Sequence, residues 1–96
     1  MYTVPTYADT PPSKKVLTAS GSLRGGGGYY YGYIVTTALS AAAITLYDNT
    51  DASGSVVDVI PASTGVGTHI LPNPVPFDTG LYASFAGTGT VEFLFA

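Results

Sequence analysis

From residue 16 onward, apolar side chains come in short runs in which they alternate with polar ones, and turn-forming residues separate the runs. Runs that recur about every 8 to 12 residues are typical of the strands of a β-sandwich or small barrel. The pattern predicts seven strands, at residues 16–23, 29–38, 41–47, 55–60, 66–71, 81–86 and 90–95. We therefore expect an all-β fold, either a small antiparallel β-sandwich or a jelly-roll-like barrel.

Alternation within the runs predicts which side chains face the interior, since successive residues of a strand point to opposite faces. Val91, Phe93 and Phe95 share one side of the last strand, and Leu81, Ala83 and Phe85 share one side of the strand before it. The Gly-Thr-Gly sequence between these strands is typical of a hairpin turn. The two strands are therefore predicted to pair with each other.

The strand at 29–38 carries apolar side chains on both faces. Alternation sets one group against another: Tyr29, Tyr31, Tyr33, Val35 and Thr37 opposite Tyr30, Gly32, Ile34 and Thr36. A strand of this kind is predicted to be central in its sheet, or covered on its outer face. The run at 41–47 begins with helix-favouring alanines, but its second half is β-prone and we assign it as a strand.

Residues 1–15 show no period of 2 or 3.6 and contain three prolines, which cannot donate to a β ladder. We predict an extended Pro-rich N-terminal arm at 1–15, followed by a single β-sandwich domain at 16–96. Tyr2, Val4 and Tyr7 would gain nothing by facing solvent. The arm is therefore expected to lie on a neighbouring molecule or on its own domain, and a frayed terminus is the alternative.

The 96 residues suit one domain, and their low charge narrows the range of partners. Charged residues make up 9% of the chain and the net charge is -3, which argues against a nucleic-acid partner. No segment has the roughly 18 consecutive apolar residues of a membrane span, and the first residues do not resemble a signal peptide. We expect no membrane partner and no secretion. The lack of cysteine excludes disulfides, thiol catalysis and Cys-ligated zinc.

His69 is the one histidine of the chain and the first candidate for a catalytic base. A Ser-His-Asp arrangement could recruit Ser63 and Asp78, but the chain has no Gly-x-Ser-x-Gly elbow. A histidine on the surface of a strand, or partly packed there, is the better interpretation. We assign no catalytic residue and do not expect an enzyme.

The loop 48–54, Asp-Asn-Thr-Asp-Ala-Ser-Gly, gathers the kind of oxygen ligands that calcium prefers. It departs from the EF-hand spacing, because Thr50 and Ala52 stand where ligands belong and no Glu ends the loop. Asp, Asn and Ser side chains also close turns by bonding to nearby backbone, and we favour this interpretation. No metal and no cofactor are expected.

Four tyrosines follow a run of glycines, in the segment Arg-Gly-Gly-Gly-Gly-Tyr-Tyr-Tyr-Gly-Tyr at 24–33. Aromatic rings beside an arginine can stack on single-stranded bases, but one arginine in an acidic chain makes no electrostatic groove. Such strands also anchor subunits, present platforms to sugars, or fill a core. We favour the subunit interface over the sugar platform, with core packing equally open. The hypothetical interface residues are Tyr2, Val4, Tyr7, Tyr29, Tyr30, Tyr31 and Tyr33.

A series of short motifs extends over residues 34–95. It comprises Ile34-Val35-Thr36-Thr37-Ala38, Ile44-Thr45-Leu46-Tyr47-Asp48 with the turn that continues to Gly54, Leu71-Pro72, Pro76-Phe77, Gly80-Leu81-Tyr82 and Gly87-Thr88-Gly89-Thr90-Val91. In this order the motifs resemble those of short β-sandwich virion proteins of tailed bacteriophages. They are signatures of turns and packing, and residues 1–28 carry no part of the resemblance.

The resemblance implies a non-enzymatic structural part of a virion, made in the host cytoplasm. A capsid decoration, or cement, protein is the first expectation, and a neck, tail or fibre component is the second. Cement proteins usually act as trimers or dimers, so the resemblance implies a homo-oligomer that contacts the major capsid protein or another virion protein. A carbohydrate-binding module, with an exposed Tyr30 or Tyr31 flanked by polar groups such as Asp58 or Asn73, is the alternative.

Overall fold

Eight strands form two antiparallel sheets in the computed structural model, which describes residues 13–96. The strands are β1 (Ser13–Leu17), β2 (Gly21–Gly25), β3 (Gly28–Thr37), β4 (Ile44–Asp48), β5 (Ser55–Ile60), β6 (Gly67–Phe77), β7 (Gly80–Phe85) and β8 (Thr90–Phe95). One sheet has the order β1-β8-β3-β6 and the other has the order β2-β7-β4-β5. The all-β prediction is confirmed, as a small β-sandwich. Within residues 13–96 no helix could span a membrane.

The interior cluster is a continuous set of buried side chains to which both sheets contribute. Its largest fully buried members include Tyr30 and Phe93 from one sheet and Leu46 and Leu81 from the other. Val91, Phe93 and Phe95 are buried together, as the alternation predicts, and so are Leu81 and Ala83. Removing this apolar surface from water is the main favourable term in the folding of such a sandwich.

The eighth strand arises because the predicted strand 16–23 is two strands. β1 ends at Leu17 and β2 begins at Gly21, and the two lie in different sheets. In the bend between them the Ser20 hydroxyl oxygen accepts the Phe85 N–H at 2.7 Å, which fixes the crossing to β7. Residues 13–15, which we predicted as part of the arm, belong to β1 and pair with β8.

The predicted hairpin between the last two strands is wrong. β7 pairs with β2 and β4, whereas β8 pairs with β1 and β3, so the chain crosses from one sheet to the other between them. Phe85 and Phe93 meet edge to face with ring centroids 6.3 Å apart. Gly89 has a φ of 147° in this crossing, which favours glycine. Two strands with apolar faces can pack face to face as well as pair side by side. Because the chain crosses between the sheets, β7 and β8 pack face to face.

β3 is a central strand, as predicted, but it does not keep a single alternation. Both neighbouring strands skip Tyr31, since the register shifts between Tyr30 and Gly32 on each side. Gly32 has a φ of 134°, so only glycine fits this bulge without strain. The bulge brings Tyr30 onto the same face as Tyr33 and Val35, and all three are in the interior cluster. The predicted grouping of Tyr30 with Ile34 is therefore wrong.

Two further strands have bounds that differ from the prediction. β4 begins at Ile44, so the alanines at 41–43 lie before the strand. β6 runs beyond the predicted 66–71 to Phe77, through three prolines. Prolines are tolerated here because β6 is an edge strand, bonded to β3 alone.

Candidate contact surface

Seven residues were predicted as interface anchors, and the structure describes four of them. Tyr2, Val4 and Tyr7 lie outside the described residues. The remaining four are the tyrosines of β3, whose positions relative to the interior decide what they can contact.

The β3 tyrosines offer little surface to a partner. Tyr30 and Tyr31 are 0% exposed and Tyr33 is 7% exposed, while Tyr29 is half-buried. Burial raises the pKa of Tyr33, and the charge of Asp58 raises it further. Tyr30 and Tyr33 thus fill the core, which is one of the roles left open by the sequence. The sugar platform built on an exposed Tyr30 or Tyr31 does not fit their burial.

Tyr47 and Tyr82 are also half-buried, and they lie on the outer face of the β2-β7-β4-β5 sheet. Tyr47 follows the buried Leu46, and Tyr82 lies between the buried Leu81 and Ala83, so both tyrosines point away from the interior. Tyr47 is in register with Tyr82. Ser22 pairs with Tyr82, and Tyr47 pairs with Val56, so one row of side chains crosses all four strands. Paired residues of an antiparallel sheet point to the same face. We call Ser22, Tyr82, Tyr47 and Val56 the outer row.

A second row beside it consists of Ser84, Thr45 and Val59, again in register across the sheet. Val56 is 55% exposed and Val59 is 48% exposed, and both lie at the β5 end of their rows. Neither row contains a charged residue. The result is a patch of uncharged side chains, with hydroxyl groups, two aromatic rings and two exposed valines, a composition suited to protein contact.

The outer face of the opposite sheet differs in charge. Lys14 on β1 lies 4.0 Å from the Glu92 carboxylate on β8, and both side chains are partly exposed. Ion pairs of this kind contribute little to stability. Val16, 53% exposed, is in register with Glu92. The uncharged patch is therefore a property of one sheet, not of the whole surface.

Two of the four edge strands carry residues that oppose pairing with another chain. β1 carries Lys14 and Lys15, and β6 carries Pro72, Pro74 and Pro76. Lysines and prolines are common devices against edge-to-edge association.

The other two edge strands, β2 and β5, are interrupted by bulges. Leu23 has no register partner in β7, and Val57 has none in β4. Next to the second bulge, Asp58 is in register with the buried Leu46 and points inward. Bulges and inward charges also discourage strand addition. Contact with other molecules is therefore favoured through a sheet face rather than through an edge.

The candidate catalytic residues are not brought together. His69 is exposed and stacks on Tyr33 with ring centroids 4.8 Å apart, in agreement with a partly packed surface histidine. His69 is in register with Tyr33, and Phe77 with Gly28, so roughly 15 Å of β3 separates His69 from the neighbourhood of Asp78. Ser63 lies in the loop between β5 and β6, where its N–H donates to the Ser40 carbonyl.

The loop 48–54 closes on itself and on the neighbouring turn. The Asp48 carboxylate accepts the N–H groups of Thr79 at 2.8 Å, Asp78 at 3.0 Å and Gly80 at 3.4 Å. These bonds, that from Thr79 first, lower the pKa of Asp48. Asn49 donates to the Ser53 hydroxyl at 3.0 Å. Turn closure is thus the observed role of these side chains.

The arginine and glycine segment also serves the local fold. Arg24 donates from Nε to the Gly27 carbonyl at 3.1 Å, and Gly26 has a φ of 80°. Together these close the turn between β2 and β3. Within residues 13–96 no three His, Cys, Asp or Glu side chains are grouped so as to hold a metal ion.

Comparisons with protein-family models, curated proteins and solved structures return no match. The outer row was not among the predicted anchors, although alternation alone sets Tyr82 and Ser84 opposite Leu81 and Ala83. What the sequence did not contain was the bulge at Tyr31, which places Tyr30 on the same face as Tyr33.

Proposed function

We propose that the chain is a non-enzymatic structural protein of a tailed-bacteriophage virion, a capsid decoration protein that stabilises the head shell through surface contacts. The observation that carries the proposal is the uncharged outer face of the β2-β7-β4-β5 sheet, with Tyr47 and Tyr82 at its centre. A patch without charged side chains suits contact with another protein surface.

The motifs that resemble phage virion proteins meet in space, which supports their use as one structural unit. Asp48, at the end of the Leu-Tyr-Asp motif, bonds to the turn that links Pro76-Phe77 to Gly80-Leu81-Tyr82. Tyr47 and Tyr82, one from each motif, are in register on the outer face. These motifs therefore supply Asp48, which closes the turn, and the two tyrosines of the outer row.

The strand order offers a second line of support. The orders β1-β8-β3-β6 and β2-β7-β4-β5 correspond to the two sheets of an eight-stranded jelly roll, the finer of the two fold expectations. Jelly rolls occur in viral capsid proteins and in lectins. Because one fold hosts many functions, the strand order supports the capsid role and the sugar-binding role alike and does not distinguish between them.

Weak individual contacts are sufficient for a protein that decorates a head shell. Each hundred Å2 of apolar surface buried contributes about 2.5 kcal/mol before the costs of association are subtracted. Subunits that associate as a trimer or dimer, as we propose for this chain, engage the shell at several points at once, and multivalency multiplies the effect. The partner is the major capsid protein or another virion protein.

The experiment that tests the proposal is the copy number of the chain per particle. Purified virions of the source phage are measured by quantitative mass spectrometry, with the major capsid protein as the internal standard. Hundreds of copies support decoration of the head. A few copies to a few dozen would place the chain in the neck, tail or fibres, and absence from the particle would overturn the proposal.

A carbohydrate-binding module remains the second candidate, because Tyr47 and Tyr82 present half-buried rings side by side on one sheet face. Stacking of sugar rings on aromatic side chains would change the tyrosine fluorescence. A saturable change on titration with polysaccharide, abolished by Tyr82→Ala, would favour this function over the structural one.

A further inference from the structure

β1 (Ser13–Leu17) is held in its sheet mainly by its ladder with β8. Four of its five residues are exposed, and Leu17 is the one that is partly buried and packs against the interior cluster. By contrast β6, at the other edge of the same sheet, contributes Leu71, Val75 and Phe77 to the packing of that cluster. Little apolar surface therefore opposes the release of β1, and segments of this kind open at low free energy.

The polar side-chain contacts of β1 are exposed as well. Lys14 lies 4.0 Å from the Glu92 carboxylate with its own side chain 68% exposed, and Lys15 donates to the Ser22 carbonyl at 3.0 Å in an exposed position. Exposed ion pairs and hydrogen bonds contribute little net free energy. Neither lysine therefore locks the strand in place.

Thr18, Ala19 and Ser20 join β1 to β2 and cross from one sheet to the other. All three residues are exposed. Ser20 is fixed on the β2 side, since its hydroxyl oxygen accepts the Phe85 N–H at 2.7 Å. Thr18 and Ala19 are thus placed as a hinge, and a short hinge that straightens directs its strand to a neighbouring molecule, as in domain swapping.

Release of β1 leaves β8 as an open edge of the sandwich. β8 is bonded to β3 on its other side, and its residues Val91, Phe93 and Phe95 belong to the interior cluster. An open edge beside a buried apolar face favours the capture of another strand. The strand whose register fits β8 is β1, and every copy of the chain carries one.

We propose that two copies of the chain exchange β1, each donating the strand to β8 of the other. The ladder pairs from Ser13 with Phe95 to Leu17 with Val91 are the same in the closed chain and in the exchanged dimer. Exchange therefore conserves the contacts of the strand. It also differs from strand addition, because β8 holds one β1 in either state and the free edges of the sheets stay as they are.

The charge distribution favours the encounter of two copies through this strand. Lys14 and Lys15 are two of the three cationic residues of the chain, whose net charge is -3. A released β1 presents both cations to an acidic neighbour, which speeds association at low ionic strength. In the exchanged dimer the pair of Lys14 and Glu92 links the two copies. Strand exchange rests on the homo-oligomer of the proposed function and supplies the contact between its copies.

The test closes β1 onto β8 of its own chain with a disulfide, in a protein that has no Cys. Val16 and Glu92 are in register, and such pairs have Cα atoms about 4.5 to 5.5 Å apart, within disulfide range. Val16→Cys with Glu92→Cys is oxidised in dilute solution, and sedimentation equilibrium follows its mass over a concentration series. We expect wild type and the reduced variant to form dimers at high concentration, and the oxidised variant to stay monomeric.

The matched control is Ile34→Cys with Glu92→Cys. Ile34 is in register with Glu92 on the other side of β8, so this disulfide joins β8 to the central strand β3 and leaves β1 free. The control should form dimers in both redox states. When oxidation follows dimer formation, Val16→Cys with Glu92→Cys should give a covalent dimer on a non-reducing gel, whereas the control should run as a monomer.

A wild-type chain that stays monomeric at every concentration would overturn the proposal, and so would an oxidised Val16→Cys, Glu92→Cys variant that dimerises like wild type. Circular dichroism checks that each variant folds, and the register pair Lys14→Cys with Leu94→Cys replaces the first pair if that does not. Because the chain is tested without particles, failure of strand exchange is distinct from failure of the virion role, which the copy number per particle decides.

Discussion

The hydroxyl group of Tyr30 donates a hydrogen bond of 3.1 Å to Oδ2 of Asp58 and so joins the two sheets through the interior. Tyr30 belongs to the central strand β3, and Asp58 belongs to the edge strand β5 of the other sheet. The same carboxylate raises the pKa of Tyr33. One inward-pointing aspartate thus gives the buried tyrosine a partner and also opposes strand addition at the β5 edge.

Tyr30→Phe is expected to lower the free energy of unfolding by about 1 to 3 kcal/mol, because it removes a part-buried hydrogen bond to a carboxylate while keeping the ring in place. Urea denaturation followed by circular dichroism measures the change. Tyr47→Phe, on the outer face, is the matched control and should stay within about 0.5 kcal/mol of the wild type. Equal stability of Tyr30→Phe and wild type would show that the bond contributes nothing.

Gly32→Ala is expected to destabilise the fold by about 2 to 4 kcal/mol, because two penalties coincide. Its φ of 134° is unfavourable for any residue with a side chain, and an added Cβ would clash with the carbonyl oxygen of His69 on β6. Gly65→Ala is the control, since a Cβ there meets nothing within 4 Å. Thermal melts of the two variants should separate clearly, and a Gly32→Ala protein that melts with the control would contradict the assigned bulge.

Local patterns in the sequence predicted the bounds of two strands and the buried face of one of them. The bounds 55–60 and 90–95 agree with β5 and β8, and the buried face of β8 follows from its sequence alone. These are properties of neighbouring residues, so a single run of sequence contains the information.

The misassigned features depend on partners that are distant in sequence. The bulge at Tyr31 reflects how β3 fits between two neighbours, and the crossing after Phe85 reflects which sheet has room for β8. Neither the bulge nor the crossing changes the alternation of apolar and polar residues in the sequence. The candidate contact surface was missed for the same reason, because it is the register between β4 and β7 that brings Tyr47 beside Tyr82.

Asp48→Asn is expected to lower the melting temperature at neutral pH, with a difference that closes in acid. The N–H groups of Thr79, Asp78 and Gly80 lower the pKa of Asp48 in the folded chain. A lowered folded pKa means that the carboxylate stabilises the fold above the pKa of the unfolded chain. This contribution is lost as the pH falls through the lowered folded pKa. Melting curves of both proteins from pH 7 downward measure the difference.

The control for this pH series is Asp78→Asn, which keeps the Asp78 N–H that bonds to Asp48 and changes only the neighbouring side chain. Its melting temperature should follow that of the wild type across the range. A difference between Asp48→Asn and wild type that stays constant as the pH falls would mean that the charge of Asp48 has no part in closing the turn.

Val56→Lys combined with Val59→Lys is expected to weaken attachment to the virion while leaving the fold intact. Both valines are about half exposed, so their replacement should change the free energy of unfolding by no more than about 0.5 kcal/mol each. Two ammonium groups on the uncharged face must be desolvated when a partner covers it, which opposes binding. Cosedimentation with particles lacking the chain measures attachment.

Val16→Lys is the matched control for that pair. Val16 is 53% exposed, close to the 55% of Val56, but it lies on the β1-β8-β3-β6 sheet beside the charged Lys14 and Glu92. The added charge should therefore leave cosedimentation unchanged if the outer row is the contact surface. If Val16→Lys abolished attachment and the double variant did not, the contact would belong to the other sheet, and Tyr47 and Tyr82 would lose their assigned role.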